Sequence, residues 1–296
     1  SRPQFVSITT SKTEVPINQL AVQYPGLKVR NITVCHPALY GPFNEPALLI
    51  QAIELNRALG ADHTFIYNYS VSESTNYVLK KYIEDGILTV LQWSLPSMTN
   101  AWYHAQSAAI NDCVHRNINV SEYVVILDLD EYIIPVNRSS WMDLFQDINN
   151  DYYGNRSHEK PTLGAMIFES CVFLRKPPAD EWKIMKKKFS ITEEEEDILT
   201  RYSLLPFLYT ERSEPPYNYP RRSKPVVRPD MVFTAGIHQI VKHRTNSTTV
   251  TVSHKMAIIN HYSSSSMDVD LVVQDVSVLR LNQLLFPHLQ SALSKF

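Results

Sequence analysis

Three acidic residues directly follow a run of apolar residues near the middle of the chain. Asp128, Asp130 and Glu131 come after residues 124–127, which are all apolar and include two valines. Such a run is typical of a strand buried on both faces. Side chains two positions apart on a strand point to the same side, so Asp128 and Asp130 can contact one ion if the strand continues through them. Paired carboxylates suit Mg²⁺ or Mn²⁺, which share their remaining positions with substrate phosphates.

A solvated loop is the ordinary alternative for acids at a strand end. The context favours metal binding, because a second apolar run at residues 132–134 encloses the acids, and uncompensated charge is costly between buried segments. The turn after the first predicted strand reads HPALYG at residues 36–41, without the glycines that a dinucleotide-binding turn needs. There is also no P-loop. Any phosphates must therefore be held by a metal, for which Asp128 and Asp130 are the strongest candidates.

Two carboxylates leave coordination positions for a third protein ligand. His238 and His261 lie at or near the ends of late apolar runs, and imidazole is a suitable Mn²⁺ ligand. A hydrogen-bonded structural histidine is the alternative for each. A general base would be a carboxylate near the metal. Glu169 is our candidate because it interrupts an apolar run, and Asp180 and Glu181 are weaker rivals.

A proline-, arginine- and tyrosine-rich segment, residues 206–229, is predicted to be a long ordered loop. Its basic cluster, residues 221–224 with Arg228, could neutralise a diphosphate leaving group, and a solvated loop is the equal alternative. Tyr217 and Tyr219 could stack on a sugar ring. Ordinary loop packing is the preferred interpretation of that pair.

Apolar periodicity predicts the elements that position the acids. The predicted strands are 32–35, 63–69, 87–93 and 124–127, and the helices between them are 45–59, 73–85 and 101–116. Gly60 and Gly86 follow the first two helices, as is common at helix ends. Strand–helix alternation at this spacing predicts a doubly wound α/β sheet, in which ligands bind beyond the carboxyl ends of the strands.

The alternation loosens after residue 141. We predict a long strand at 162–174, helices at 180–189 and 193–202, strands at 232–242 and 248–260 around a polar turn, and a helical tail at 267–296. The whole chain, 1–296, is treated as one domain, since 44% of its residues are apolar and can form one large core.

Composition excludes some partners and suggests a compartment. The net charge is −2 without a basic stripe, which argues against nucleic acid, and no run of 18 apolar residues exists to span a membrane. Six N-x-S/T sequons indicate a secretory-pathway lumen. They begin at Asn31, Asn68, Asn119, Asn137, Asn155 and Asn246. Asn31 and Asn68 are expected to be inaccessible beside strands. Because the chain starts without Met, we expect an excised segment whose anchor has been removed.

The three cysteines do not form a disulfide framework. Cys35, Cys113 and Cys171 each lie in an apolar segment. We predict three buried free thiols, and the alternative is one bridge with one free thiol.

Several spaced motifs carry a resemblance to a known family. They are NDC at 111–113, DLDEYIIP at 128–135, KPVVRP at 224–229, the segment around His238 and NHY at 260–262. In these, and in the strand and helix at 34–60, the chain resembles glycosyltransferase family 92, which are metal-dependent inverting galactosyltransferases. The resemblance implies a GT-A-type α/β fold with a doubly wound mixed sheet. A Rossmann-like nucleotide-sugar-binding half then covers about 30–136, and an acceptor-side half with C-terminal helices covers 137–296.

The resemblance also implies a site. Asp128 and Asp130 take the metal-binding role, with His261 as the third ligand and His238 as second choice. The predicted contacts to the nucleotide sugar are Pro37, Ala38, Tyr67, Asp112, Asp128, Leu129, Asp130 and Lys224, with Lys224 at the phosphates. Family members often have a basic residue after the His-Tyr pair, whereas this chain has Ser263. The catalytic base has no transferable motif, so Glu169 rests on the residue pattern alone.

The implied activity is transfer of galactose from UDP-galactose, with Mn²⁺ bridging its diphosphate, to a terminal galactose or fucose of a glycoprotein glycan. The product would be a β-galactoside, β1,4-linked, made in the Golgi lumen by a type II membrane-anchored enzyme. A UDP-GlcNAc or UDP-glucose transferase on the same fold and a carbohydrate-binding domain without activity are the alternatives. A homodimer is left open.

Overall fold

The computed structural model describes residues 2–22, 24, 27–95, 101–154, 160–175, 181–214, 216–217, 220–244, 246–263 and 271–296. Its central feature is a seven-stranded mixed sheet in the order β14-β8-β11-β6-β3-β4-β5. These strands are β3 (Arg30–Leu39), β4 (His63–Asn68), β5 (Leu88–Gln92), β6 (Ser121–Ile126), β8 (Thr162–Phe168), β11 (Lys224–Val227) and β14 (Ser247–Thr251).

The helices connect and cover these strands. They are α1 (Pro46–Ala58), α2 (Glu73–Glu84), α3 (Gln106–Arg116), α4 (Trp141–Tyr153), α5 (Glu181–Lys188), α6 (Glu193–Arg201), α7 (Leu205–Leu208) and α8 (Asn282–Leu293). A parallel run of β3, β4, β5 and β6 is linked through α1, α2 and α3. The predicted α/β class, with its strand–helix alternation in the first half, is therefore confirmed.

The strand before the acids is buried on both faces, as predicted. Val124 and Ile126 pack into one core cluster, and Val125 and Leu127 pack into the other. None of the four side chains is more than 1% exposed. Burying one such side chain stabilises the fold by about 1.5 to 3 kcal/mol. The end of β6 is therefore a firm support for the residues that follow it.

A separate three-stranded sheet lies beside this strand end. Its order is β7-β15-β9, formed by β7 (Glu131–Pro135), β15 (Ala257–His261) and β9 (Ser170–Val172). β15 is antiparallel to β7 and parallel to β9. The register pairs His261 with Glu131, so the sheet brings residues far apart in sequence to the acids.

The remaining short strands form pairs. β1 (Phe5–Val6) pairs with β2 (Leu20–Ala21), β10 (Glu211–Ser213) with β16 (Val272–Gln274), and β12 (Val232–Ala235) with β13 (Ile240–His243). Within the described residues, no helix combines the length and apolar character that crossing a membrane requires.

Several predictions for the second half were wrong. The predicted loop 206–229 contains β11, a strand inside the main sheet, which is four residues long and too short for a periodic signal. The predicted strand 162–174 divides at Glu169, because β8 and β9 belong to different sheets. Likewise, 232–242 forms its own β12–β13 pair, while β14 and β15 join separate sheets. The tail includes strand β16 before its helix.

The predicted free thiols were also wrong in part. Cys35 on β3 and Cys113 on α3 form a disulfide, and Cys171 is a buried free thiol. Packing of α3 against β3 brings two cysteines together across 78 residues, which spacing along the chain does not reveal. In the chain-entropy view, closing a loop of that length stabilises the fold by about 4 kcal/mol.

Candidate active site

The acids lie on a turn, not on a strand. β6 ends at Ile126 and β7 begins at Glu131, and Glu131 N donates to Asp128 O at 3.3 Å. The strand does not continue through Asp128 and Asp130, so the condition under which strand geometry would align them is not met. Both carboxylates nevertheless line one cleft of about 680 Å³. We call residues 128–131 the acid turn.

The cleft collects six of the predicted site residues. They are Pro37, Ala38, Asp128, Asp130, His238 and His261. Pro37 and Ala38 are there because β3 extends past its last partner on β6, the Cys35–Ile126 pair. The cleft thus lies beyond the carboxyl ends of parallel strands, where α/β sheets bind ligands.

Three other residues that were predicted to contact the nucleotide sugar are not among the described residues that line the cleft. They are Leu129, Tyr67 and Asp112. Leu129 is buried in the core. The Tyr67 hydroxyl donates to Asp112 Oδ2 at 2.7 Å, and Arg116 Nε donates to the same oxygen at 2.6 Å. Burial, followed by the hydrogen bond to Asp112, raises the pKa of Tyr67. This network joins β4 to α3, and the predicted donor roles of Leu129, Tyr67 and Asp112 stay predictions.

A buried lysine lies behind the acid turn. Lys224 begins β11, which is antiparallel to β6, so its side chain meets the residues that follow β6. Its Nζ is 2.5 Å from Asp128 Oδ2 and 2.9 Å from Glu131 Oε2. Glu131 Oε2 also accepts from Asp128 N at 3.0 Å. Lys224 is enclosed by these carboxylates, and its predicted contact with donor phosphates stays a prediction.

The pKa values of the two aspartates of the acid turn are shifted in opposite directions. Burial alone raises the pKa of Asp128, but attraction to Lys224 outweighs it and the pKa lies below the usual value. Burial, followed by the charges of Glu131 and Asp128, raises the pKa of Asp130 to about 7. Arg175 Nη2 lies 3.8 Å from Asp130 Oδ2 and offsets only part of that shift. The ionised form of Asp130 is therefore disfavoured as the site stands, and a further cation beside it would stabilise that form.

His261 lies beside the acid turn, as the strand partner of Glu131 in the β7–β15 pair. Its Nε2 is 3.8 Å from Asp130 Oδ2, and its Nδ1 is 3.6 Å from Glu131 Oε1. Burial lowers the pKa of His261, which favours the neutral, metal-binding form of imidazole. Two ligand atoms about 2.1 Å from one cation are at most about 4.2 Å apart. The Asp130–His261 separation fits that limit.

A complete ligand set is not assembled in this geometry. Within the described residues, no group of three or more His, Cys, Asp or Glu side chains is arranged to hold a metal ion. Asp128 is engaged by Lys224 and by Gln106 Nε2, which is 3.5 Å from Asp128 Oδ1. The donor types and the unbalanced charge at Asp130 fit a hard divalent cation that completes its shell from a substrate.

His238, the second-choice ligand, lines the cleft from another direction. Its Nδ1 contacts Ser223 O at 2.8 Å, and the Ser223 hydroxyl donates to His238 O at 2.7 Å. This pair of bonds ties the loop after β12 to the residue before Lys224.

His36 supports the acid turn from β3. Its Nδ1 is 2.8 Å from Leu127 O. Burial lowers the pKa of His36 to about 4, so the ring is neutral at physiological pH and Nδ1–H donates to the carbonyl. The residue immediately before Asp128 is thereby held.

The predicted base lies at the junction of two sheets. Glu169 is half-buried between β8 and β9, its carbonyl accepts from Ile259 N at 2.9 Å, and it is not among the described residues that line the cleft. Its catalytic role stays a prediction. Of the rivals, Asp180 lies outside the described residues and Glu181 begins α5.

Part of the cleft wall consists of residues that were not predicted from the sequence. The unpredicted lining residues are Tyr40, Trp102, Tyr103, Gln106 and Ile237. Arg175, also missed, donates through Nε and Nη2 to Tyr262 O at 2.9 and 2.6 Å and so reaches Asp130. Consecutive aromatic residues at 102–103 were a usable signal, but they were absorbed into a predicted helix.

Comparison with known proteins identifies a family. The profile of Glycosyltransferase family 92 matches residues 30–284. The chain is 28% identical over 253 residues to the Caenorhabditis elegans protein "Beta-1,4-galactosyltransferase galt-1", covering 84% of this chain and 51% of that protein. It is 28% identical over 108 residues to the Arabidopsis thaliana "Galactan beta-1,4-galactosyltransferase GALS2", covering 36% of this chain and 21% of that protein. The chain thus spans about half the length of the nematode relative.

Solved glycosyltransferase structures give weaker likenesses. S. aureus TarS 1–349 in complex with UDP-GlcNAc matches with a TM-score of 0.37 and 11% identity, over 80% of this chain and 60% of TarS. Mannosyltransferase PcManGT from Pyrobaculum calidifontis, with GDP-Man and Mn²⁺, has a TM-score of 0.30 and 17% identity, over 55% and 41% of the two chains. Scores this low support no inference about the site.

Proposed function

This chain belongs to glycosyltransferase family 92, and from that premise we propose that it transfers galactose from UDP-galactose to a terminal galactose or fucose of a glycoprotein glycan. The product is a β-galactoside, β1,4-linked. The acid turn carries the proposal: two aspartates face a cleft at the carboxyl end of a buried strand, with a buried lysine behind them. Two relatives that are named as β1,4-galactosyltransferases support the proposed sugar and linkage.

Mn²⁺ is the proposed metal, and Asp130 and His261, with Asp128, are the residues that would hold it. When bound, the ion stabilises negative charge on the departing diphosphate. Lys224 keeps Asp128 ionised, and His36 holds the Leu127 carbonyl, so the turn is arranged before a ligand arrives. Arg222 lines the same cleft and adds a positive charge where a diphosphate would lie.

The proposed transfer inverts the configuration at C1 of galactose. An acceptor hydroxyl oxygen forms a bond to C1 of galactose on the face opposite UDP. The bond from C1 to the diphosphate oxygen breaks, and its electron pair leaves with UDP. The hydroxyl proton passes to a base, for which Glu169 is the candidate. Glu169→Gln should then lower kcat and leave the KM for the donor unchanged.

We also propose that the enzyme works in the Golgi lumen as a type II membrane-anchored protein. A buried Cys35–Cys113 disulfide supports an oxidising compartment. Four sequon asparagines are exposed, namely Asn31, Asn119, Asn137 and Asn246. The expectation that Asn31 is inaccessible was wrong, because it lies on a strand whose first residues border solvent. Asn68 is half-buried, and Asn155 lies outside the described residues.

A product assay tests the proposal. The protein is incubated with Mn²⁺, a panel of UDP-sugars, and glycans ending in galactose or fucose, and the linkage is determined by NMR. We expect turnover with UDP-galactose, its loss in Asp130→Asn, and wild-type activity in Asp85→Asn, an exposed acid at the end of α2. Turnover with only UDP-GlcNAc or only UDP-glucose would show that UDP-galactose is not the donor. Glycan binding without turnover for any donor would indicate a carbohydrate-binding domain.

A further inference from the structure

Two exposed aromatic residues stand at the mouth of the cleft. Trp102 and Tyr103 line it, yet their relative exposures are 77% and 53%. Their ring centroids are 5.1 Å apart and the ring planes are tilted by 58°. Tryptophan is usually well buried, because removing its large apolar surface from water is favourable. An exposed tryptophan in the wall of a cleft is therefore a sign of ligand binding.

The backbone that presents these rings is strained. Tyr103, His104 and Ala105 have φ of 43°, 52° and 60°, three consecutive left-handed residues without a glycine. Their Cβ atoms make this conformation unfavourable. The predicted helix 101–116 is wrong at its start for this reason, and α3 begins only at Gln106. Strain of this kind persists only where the surroundings enforce it, and it concentrates at functional sites.

The surroundings of His104 enforce the strained turn. The imidazole lies 4.3 Å from the ring of Tyr40 and 4.6 Å from the ring of Tyr69. Trp93 Nε1 donates to His104 O at 2.8 Å, and the Trp93 ring packs edge-on against buried Tyr67 at 5.0 Å. The turn is thus fastened to the core on one side, while the two preceding aromatic rings remain exposed.

We propose that Trp102 and Tyr103 form the subsite for the terminal sugar ring of the acceptor. This inference rests on the proposed function and deepens it. A hexose has a face of C–H groups that packs on an aromatic ring and hydroxyls that stay in water. The charged inner end of the cleft suits the donor diphosphate, whereas the exposed rim suits a ring on a large glycan that arrives from solvent. Rigid aromatic side chains bind such a ring at a small entropic cost.

The tyrosine-rich loop is a poorer acceptor platform. Tyr217 is half-buried, and the Arg222 guanidinium covers its ring at 5.4 Å from the centroid. That ring face is already occupied by a side chain. Tyr219, the other tyrosine of the predicted pair, lies outside the described residues.

Steady-state kinetics of Trp102→Ala test the subsite. We expect the acceptor KM to rise about tenfold, as for loss of one aromatic stacking contact, with the donor KM and kcat within about twofold of wild type. Trp102→Phe should restore most of the affinity because a ring face returns. The control is Tyr77→Ala, which removes an exposed aromatic ring on α2 that is not among the described residues lining the cleft, and it should change neither KM.

Binding without turnover separates this inference from the proposed function. Saturation-transfer difference NMR, with a free galactose- or fucose-terminated glycan and UDP present, should show contact of the terminal sugar with wild-type protein and loss of that contact in Trp102→Ala. An unchanged acceptor KM, or unchanged NMR contact, in Trp102→Ala overturns the subsite. A rise in donor KM alone overturns it too, since the rings would then bind the uracil or the donor sugar. Wild-type protein that binds the glycan through Trp102 but turns over no donor would instead overturn the proposed function.

Discussion

The two ends of the cleft differ in burial, charge and backbone geometry. At the inner end, Lys224 and Glu131 are each 2% or less exposed and form a charge cluster with Asp128 on ordinary sheet and turn geometry. At the mouth, Trp102 and Tyr103 are largely exposed and uncharged, and the backbone of residues 103–105 is left-handed.

This difference indicates that the inner end acts through charges and the mouth through exposed aromatic surface. The inner charges are set by the fold before any ligand binds, which is the arrangement that stabilises a leaving group electrostatically. Trp102 and Tyr103 at the mouth leave much apolar surface in water within the described structure, and a bound ligand could cover that surface. Removing Lys224 from the charge cluster at the inner end should therefore lower stability, whereas substitutions of the aromatic residues at the mouth should change stability little and weaken ligand binding.

Lys224→Met should give the largest loss of stability. It leaves Asp128 and Glu131 without their buried counterion, and breaking a buried ion pair in this way costs about 3 to 5 kcal/mol. Urea unfolding of the wild-type protein and of Lys224→Met measures the change in the free energy of unfolding. Lys81→Met removes an exposed lysine paired with Glu84 and should change stability little. Equal effects of the two substitutions would show that the inner cluster is not electrostatically critical.

Asp130→Asn should separate activity from stability. It removes a proposed metal ligand, and we expect kcat to fall by about 10² to 10³-fold, the usual effect of losing one electrostatic contact to a leaving group. Stability should stay the same or increase, because burial and neighbouring acids already disfavour the charge, as the raised pKa of Asp130 indicates. Measurements of kcat and urea unfolding on the same preparation check both. A fall in stability with normal kcat would contradict the assignment.

Manganese should stabilise the inner end selectively. At a concentration one hundred times its Kd, a ligand adds about 2.7 kcal/mol to the stability of the state it binds. We expect Mn²⁺ to raise Tm in wild type, with the shift lost in Asp130→Asn and His261→Ala. His238→Ala should keep the shift, since the imidazole nitrogen placed beside the proposed carboxylate ligand is His261 Nε2, 3.8 Å from Asp130 Oδ2. A shift that survives His261→Ala and disappears in His238→Ala would reverse the order of the two histidines.

Ala105→Gly should give the smallest effect, at the mouth. Glycine relieves the left-handed strain at φ 60° and costs some chain entropy, so we expect a gain of about 0.5 to 1 kcal/mol. Ala108→Gly is the matched control, since Ala108 is exposed on α3 three residues later and the same change in a regular helix costs about 1 kcal/mol. Opposite signs in urea unfolding support the strained turn. Destabilisation by both would mean that residue 105 is helical in solution.

The first half of the fold could be predicted because each element carries a local signal. The run at 124–127 is buried, and helices α1 and α2 end near glycines, so the succession of strands and helices along the chain and the position of the acids after a buried strand follow from periodicity. Of the predicted site residues, Asp128, Asp130, Pro37, Ala38 and both candidate histidines line one cleft, and their roles there stay predictions.

The rest depends on contacts between residues distant in sequence. Lys224 meets Asp128 across 96 residues through a four-residue strand that has no periodic signal. The disulfide partners are separated by 78 residues. The turn at 103–105 violates local backbone preference, and it is held by rings from three other segments of the chain. Local patterns cannot report such contacts.

Calorimetric titration of UDP-galactose is the most direct measurement of the role of the acid turn. We expect binding to wild-type protein in the presence of Mn²⁺, a loss of binding when a chelator removes the metal, and a similar loss in Asp130→Asn with Mn²⁺ present. Undiminished binding of UDP-galactose to an Asp128→Asn, Asp130→Asn double variant that remains folded would contradict it.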